Sequence, residues 1–342
     1  MRAFITGVAR PVLTDDERAF LRDAEPWGLI VFKRNVAGPD ALRRLADEVR
    51  ATLGRDAPIL IDQEGGRVQR MGPPSWPAYP PAAVYGAIYD HDRALGLAAA
   101  RLGARLIAAD LAGVGIDVDC MPVADVSVAG ADAVIGDRAF GTRPDKVAAL
   151  ASAFAQGLAD GGVLPVLKHI PGHGRATADS HKKLPVVTAD RETLEATDFA
   201  AFRPLAALPL AMTAHVVFTA IDTVAPATTS PAIVRDVIRG AIGYRGLLMS
   251  DDISMGALSG SLGERTRAAI SAGCDMVLHC NGSMDEMHAV AEAAPRLEGE
   301  AARRAAAALA SKRPATLIDL AAKRAEFFAL VGDVWAPARG SA

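Results

Sequence analysis

The chain has 342 residues, 51% of them hydrophobic and 23% charged, and carries a formal net charge of −3. That length supports a large core, while dispersed basic residues and a slightly acidic balance exclude the positive stripe of a nucleic-acid binder. No apolar stretch approaches membrane-spanning length, and the apolar run at the N-terminus is too short for a signal peptide, so no membrane is expected and a cytoplasmic location is. Cys120, Cys274 and Cys280 lack CxxC spacing and are expected to be reduced thiols packed in the core.

Apolar runs alternate with helix-period segments along the whole chain, the pattern of a parallel α/β fold. Strands are expected at Ala3–Thr6 and Leu29–Phe32. Leu42, Leu45, Val49 and Leu53 then recur at intervals of three and four, predicting a helix before a third strand, Ile59–Asp62. A fourth strand is expected at Asp117–Pro122, and a helix carrying Val147, Leu150, Phe154 and Leu158 leads to a fifth at Leu164–His169. Pro165 cannot donate to a ladder, which moves the start of that strand one or two residues later. Leu210–Ala214 is the sixth strand. Ser230-Pro231 opens a helix before the seventh, Leu247–Ser250. Ser261 and Glu264 form a capping box, Gly273 ends that helix, and Met276–Leu278 is the eighth strand. Helices over Glu298–Ser311 and Thr316–Leu330 follow, and residues 337–342 are expected to fray. Eight such units favour a closed barrel over an open sheet. The expected architecture is a single (β/α)8 TIM-like barrel spanning 1–342, with C-terminal helices over 284–336 completing its outer ring.

Pro171 removes a backbone donor, and Gly172 and Gly174 open conformations closed to other residues, so the run after the fifth strand reads as a flap. In it Asp179 lies two residues before His181, close enough for the carboxylate to favour the protonated imidazole, a pair suited to proton transfer. Asp62, Asp119, Asp125, His169, His215, Asp251 and either His279 or Asn281 fall at or just beyond C-terminal strand ends, where the catalytic groups of a parallel barrel gather. Of Asp251 and Asp252, either could cap the next helix, and spacing does not rank them. Lys168 and His169 end a buried run and need either a carboxylate or a ligand hydroxyl. His169, His173 and His181 invite a zinc reading, yet a ligand pair at i, i+4 needs a helix that Pro171-Gly172 forbids, so neither metal nor cofactor is expected. The run Asp62 to Arg67 lacks the spacing of a phosphate loop, and its charges suit sugar hydroxyls as well. Arg70 and Arg138, taken alone, read as surface charges. Aromatic residues make up 5% of the chain, which argues against a stacked platform for a long polysaccharide and for a pocket holding one terminal sugar.

The run KHIPGHGRATADSH, with LIDQEGGRVQR upstream and LLMSDDISM downstream, resembles the family 3 glycoside hydrolases, and within them the bacterial β-N-acetylhexosaminidases of cell-wall recycling. The likeness extends from the first strand to AGCDMVLHCN near position 281. It implies that Asp251 is the nucleophile and that His181 is the general acid/base, supported by Asp179. It also implies that Asp62, Arg70, Arg138, Lys168 and His169 grip the sugar. Two departures are Ile170, where the family usually has an aromatic residue, and Gly256, where an acidic residue is common; neither is expected to touch the chemistry.

The implied activity is a retaining removal of non-reducing terminal N-acetylglucosamine from cell-wall muropeptides, with a small carbohydrate as the only partner and the chain acting as a monomer. Within the same family, a β-glucosidase or a phosphorylase remains the alternative. A non-catalytic muropeptide-binding barrel is the alternative from another class, although a pure binder has no need of a nucleophile opposed to a proton donor.

Overall fold

Eight parallel strands close on themselves in chain order in the computed structural model, which describes residues 1–336. They are β1 (Arg2–Thr6), β2 (Pro26–Val31), β3 (Ile59–Ile61), β4 (Val118–Asp119), β5 (Leu164–Ile170), β6 (Leu210–Thr213), β7 (Leu247–Asp252) and β8 (Met276–His279). Each pairs with its sequence neighbour, and β8 returns to β1 through Phe4↔Val277 and Ile5↔Leu278. Successive side chains on a strand point to opposite faces, and the apolar residues divide accordingly. Ile5, Ile30, Leu60, Val118, Val166, Met212, Met249 and Leu278 fill the barrel interior. Phe4, Leu29, Ile59, Leu167, Ala211, Leu248 and Val277 face outward into the layer of helices.

Those helices form where spacing and caps dictate. Pro39–Leu53 buries Leu42, Leu45 and Val49, and Pro144–Asp160 buries Val147, Leu150, Phe154 and Leu158. Leu262–Ala272 carries the complete Ser261/Glu264 capping box, and Gly273 closes it at φ 112°, a conformation glycine adopts without a Cβ penalty. After Ser230, whose hydroxyl accepts the amide of Ile233, the helix winds wider than an α-helix. Its last turn closes with the Ile242 amide on the carbonyl of Val237, five residues back.

Several boundaries differ from the sequence reading, for identifiable reasons. Pro165 lies inside β5, which begins at Leu164. The amides of Leu164 and Val166 both point toward β4, so Pro165 turns its missing donor toward β6, where pairing begins only at Val166↔Leu210. The β4 ladder is shorter than expected, because beyond Asp119 the chain leaves the regular sheet and meets β5 through the carbonyls of Met121 and Pro122, which accept the amides of Val166 and Lys168, and through a bridge from Val123 to Lys168. The last helix starts at Leu320, capped by the Asp319 carboxylate, since the Thr316 amide is taken by the carbonyl of Asp160. The helix Gly299–Ala310 does not complete the outer ring. Leu297, Ala305 and Ala308 join the barrel interior and cover its lower end. The expectation for residues 337–342 lies outside the described residues.

Candidate active site

The upper mouth of the barrel holds a cavity of about 320 Å³. Asp62, Arg70, Arg138, Lys168, His169, Asp179, His181 and Asp251 all line it. Ile30, Met212 and Leu278, at the upper ends of β2, β6 and β8, line it with apolar surface.

Asp251 and Asp252 end β7, and their surroundings separate them. Asp252 is spent on the loop: its carboxylate accepts the Ser254 amide at 3.0 Å, the Ser254 hydroxyl at 2.7 Å and the Cys280 amide at 3.2 Å. Asp251 accepts only the adjacent Asp252 amide, at 2.8 Å, and faces the cavity. Burial raises its pKa, but the imidazoles of His215 and His169, the Asp252 amide and Lys168 outweigh that and hold the carboxyl below its usual range. It is therefore ionised near neutrality. His215, buried behind it, bridges the Thr228 hydroxyl at 2.7 Å and the Asp252 carbonyl at 2.9 Å, which braces the end of the strand.

Across the barrel from β7, four strands away in the closed order, lies the end of β3. Here Lys168 Nζ contacts Asp62 at 3.0 Å and Glu64 at 2.6 Å. Arg138 grips Glu64 through Nε and Nη2, each at 2.8 Å, and Arg70 holds Asp62 at 2.9 Å. Three cations thus surround two carboxylates. Burial works against ionisation of both, yet Arg138 and Lys168 pull the Glu64 pKa down to about 2, and Lys168 together with Arg70 holds the Asp62 carboxyl well below the usual carboxylate range. A buried ion cluster of this kind adds little net stability, because desolvation cancels much of the attraction. What it provides is a fixed array of donors and acceptors at one end of a cavity sized for a single sugar ring.

His169 adds a ring edge to that array, its Nδ1 held by buried Asp125 at 2.7 Å. The other oxygen of Asp125 accepts the His173 amide at 2.7 Å, so one carboxylate fixes both histidines. His181 lies at the rim on the flap with its side chain 65% exposed. Asp179 accepts the His181 amide at 2.9 Å and its Nδ1 at 2.8 Å, leaving Nε2 as the nitrogen available for proton exchange. The three histidines thus turn to three different partners: Asp125, Ser180 and Asp179.

Glu64 enters the sequence reading only within the Asp62 to Arg67 run, yet it anchors both Lys168 and Arg138; its place before Gly65-Gly66 in a tight hairpin gives no sign of partners so distant in the chain. Lys168 and His169 have carboxylate partners as well as cavity exposure. Of the strand-end cluster, Asp119, Asp125, His215 and His279 are buried behind the mouth and only Asp62, His169 and Asp251 line the cavity. Cys280 is half-buried and lines the cavity, against the expectation of core packing for every thiol. Ile170 is fully buried away from the cavity, whereas Gly256 does touch the flap that bears His181, donating its amide to the His181 carbonyl at 3.3 Å.

Residues 8–309 match the family model described as glycosyl hydrolase family 3 N terminal domain. The chain belongs to glycosyl hydrolase family 3. It is 43% identical over 273 residues to a β-hexosaminidase of Alkalilimnicola ehrlichii, covering 79% of this chain and 78% of that protein. A β-hexosaminidase of Neisseria gonorrhoeae is 40% identical over 275 residues, covering 79% and 75% respectively. Among solved structures, NagZ from Neisseria gonorrhoeae in complex with N-trifluoroacetyl-D-glucosamine superposes with a TM-score of 0.84 at 33% identity, over 97% of this chain and 96% of that one. This family 3 chain is accordingly a glycoside hydrolase, and its (β/α)8 barrel is the fold those relatives share.

Proposed function

We propose that the protein is a retaining exo-β-N-acetylglucosaminidase that removes non-reducing terminal N-acetylglucosamine from 1,6-anhydro-muropeptides during peptidoglycan recycling. Asp251 attacks C1 of the sugar, the glycosidic C–O bond breaks, and His181 Nε2 gives its proton to the departing oxygen. Water then enters at C1, His181 takes its proton, and the bond to Asp251 is released. Imidazole titrates near neutrality and so serves in both directions without the burial a carboxylic acid needs to raise its pKa. Asp179 orients the ring and favours its protonated form. Asp62, Arg70, Arg138, Lys168 and His169 bind the hydroxyls at the far end of the ring.

The observation that carries this reading is the opposition within one cavity of an ionised carboxylate with no side-chain partner and a carboxylate-backed imidazole at the rim. Exo action is supported by the ion cluster, which closes the cavity on the side away from Asp251. The β-hexosaminidase relatives and the glucosamine derivative bound to the gonococcal NagZ support the acetamido sugar. The reading includes action as a monomer in the cytoplasm, a compartment that free thiols fit. Among the described residues, no helix is long and apolar enough to cross a membrane.

The test is turnover of 4-nitrophenyl N-acetyl-β-glucosaminide beside the matching glucoside, with and without phosphate, followed by NMR. The expected result is strong preference for the acetamido substrate and release of the β-anomer. Equal turnover of the glucoside would replace the reading with a β-glucosidase, and phosphate-dependent formation of a sugar phosphate with a phosphorylase.

A further inference from the structure

The flap that carries His181 is held at its base and tip by different contacts. At the base, Arg175 pairs with buried Asp198 at 2.9 Å, and a side chain at Gly174 would place its Cβ 2.0 Å from the Val126 carbonyl oxygen, so the chain there is packed against its surroundings. At the tip, Ser180 is 2% exposed, although the residue after it is solvent-facing. Its hydroxyl meets His173 Nε2 at 3.0 Å, and His173 is itself anchored through its amide to Asp125. On the opposite side the Ser180 carbonyl accepts the Ala257 amide at 3.1 Å, and the His181 carbonyl accepts the Gly256 amide.

Those two amides belong to the loop that follows the Asp251 strand end. Gly256 is exposed and its φ is ordinary, so its backbone conformation does not require glycine. Space does: an added Cβ would lie 3.0 Å from the carbonyl oxygens of both His181 and Lys182. A side chain there would push away the segment that holds the imidazole.

We propose that Ser180, His173 and Gly256 form a clasp that positions the His181–Asp179 pair over the cavity, fastening the flap tip to the cavity wall on one side and to the nucleophile loop on the other. None of the three exchanges a proton with substrate; they are positioning residues. The inference rests on the reading of His181 as general acid/base. Burial, and then the neighbouring His169, lower the His173 pKa to about 4, which keeps this imidazole neutral and outside the proton transfer itself.

The clasp is tested by leaving-group dependence, since a 2,4-dinitrophenyl group departs without a proton and a phenyl group needs one. Ser180→Ala and Gly256→Ala are each expected to lower kcat/KM on phenyl N-acetyl-β-glucosaminide by about tenfold, the low end of general-acid effects, and to leave the dinitrophenyl value within about twofold. Azide, a nucleophile that needs no general base, is expected to raise kcat of both variants on the dinitrophenyl substrate and not that of the unaltered protein. Equal losses on both substrates, or no loss on either, would overturn the clasp. Should one variant fail to fold, the other makes the same comparison from the opposite side of the flap. If the unaltered protein hydrolyses neither substrate, the fault lies with the proposed function and not with the clasp.

Discussion

Asp251 and Asp252 are adjacent and chemically identical, and only their partners distinguish them. One is saturated by Ser254 and the Cys280 amide, while the other keeps a lone-pair face toward the cavity. Covalent labelling distinguishes the two. A 5-fluoro N-acetylglucosaminyl fluoride, which slows breakdown of the intermediate, is expected to add its glycosyl mass to the peptide containing Asp251, as read by digestion and mass spectrometry. Asp251→Asn is expected to abolish both the label and turnover, a larger loss than the roughly 10² to 10⁴ typical of removing a proton-transfer group. Label on the Asp179 peptide instead would reverse the assignment of roles.

The helix Leu320–Val331 illustrates how an element remote from the chemistry supports it. Its Phe327 is fully buried among Tyr79, Tyr85 and Phe328, with ring centroids 5.3 to 6.4 Å apart. Tyr79 in turn donates its amide to the Gln69 side chain and its carbonyl accepts the Gly66 amide, in the hairpin that bears Glu64 and leads into Arg70. Phe327→Ala is expected to cost about 3–5 kcal/mol in urea unfolding, the usual range for emptying a buried aromatic site. A loss below about 1 kcal/mol would show the helix to be only loosely attached. Elements like this one were legible in the sequence because periodicity and caps are local: the eight strands, the Ser261 box and the Gly273 stop all followed from residues a few positions apart. Position along the chain was not enough where the deciding partner was distant. Thr316 was lost from the helix to Asp160, Pro165 was accommodated because β6 starts late, and Glu64 found Arg138 across 74 positions. The candidate site was legible mainly through its motifs; the bracing by Asp125 and His215 and the contact at Gly256 depend on loop conformations that no short-range pattern encodes.

For the molecule as a whole, buried neutral imidazoles set the acid limit of stability. The folded-state pKa of His173 is about 4 against an ordinary 6.5, so between those values the unfolded chain binds a proton that the folded chain refuses. Stability therefore rises with pH across that window and is lost as the pH falls through it, by roughly 3 kcal/mol from this residue alone. His215, whose pKa is also lowered by burial, acts in the same direction. Urea unfolding at about pH 7 and about pH 4 is expected to show that loss, and His173→Gln to shrink it; an unchanged difference would assign the acid sensitivity to other groups. The barrel also divides its labour in a way that bears on descent. The proposed nucleophile Asp251 and, of the proposed sugar grip, Lys168 and His169 lie in barrel strands, whereas the proposed proton donor His181 rides on a segment between β5 and β6 that the barrel ladder does not include. Sequence drift or loop exchange in that insertion can alter which acceptors and leaving groups are served while recognition of the terminal sugar is inherited intact.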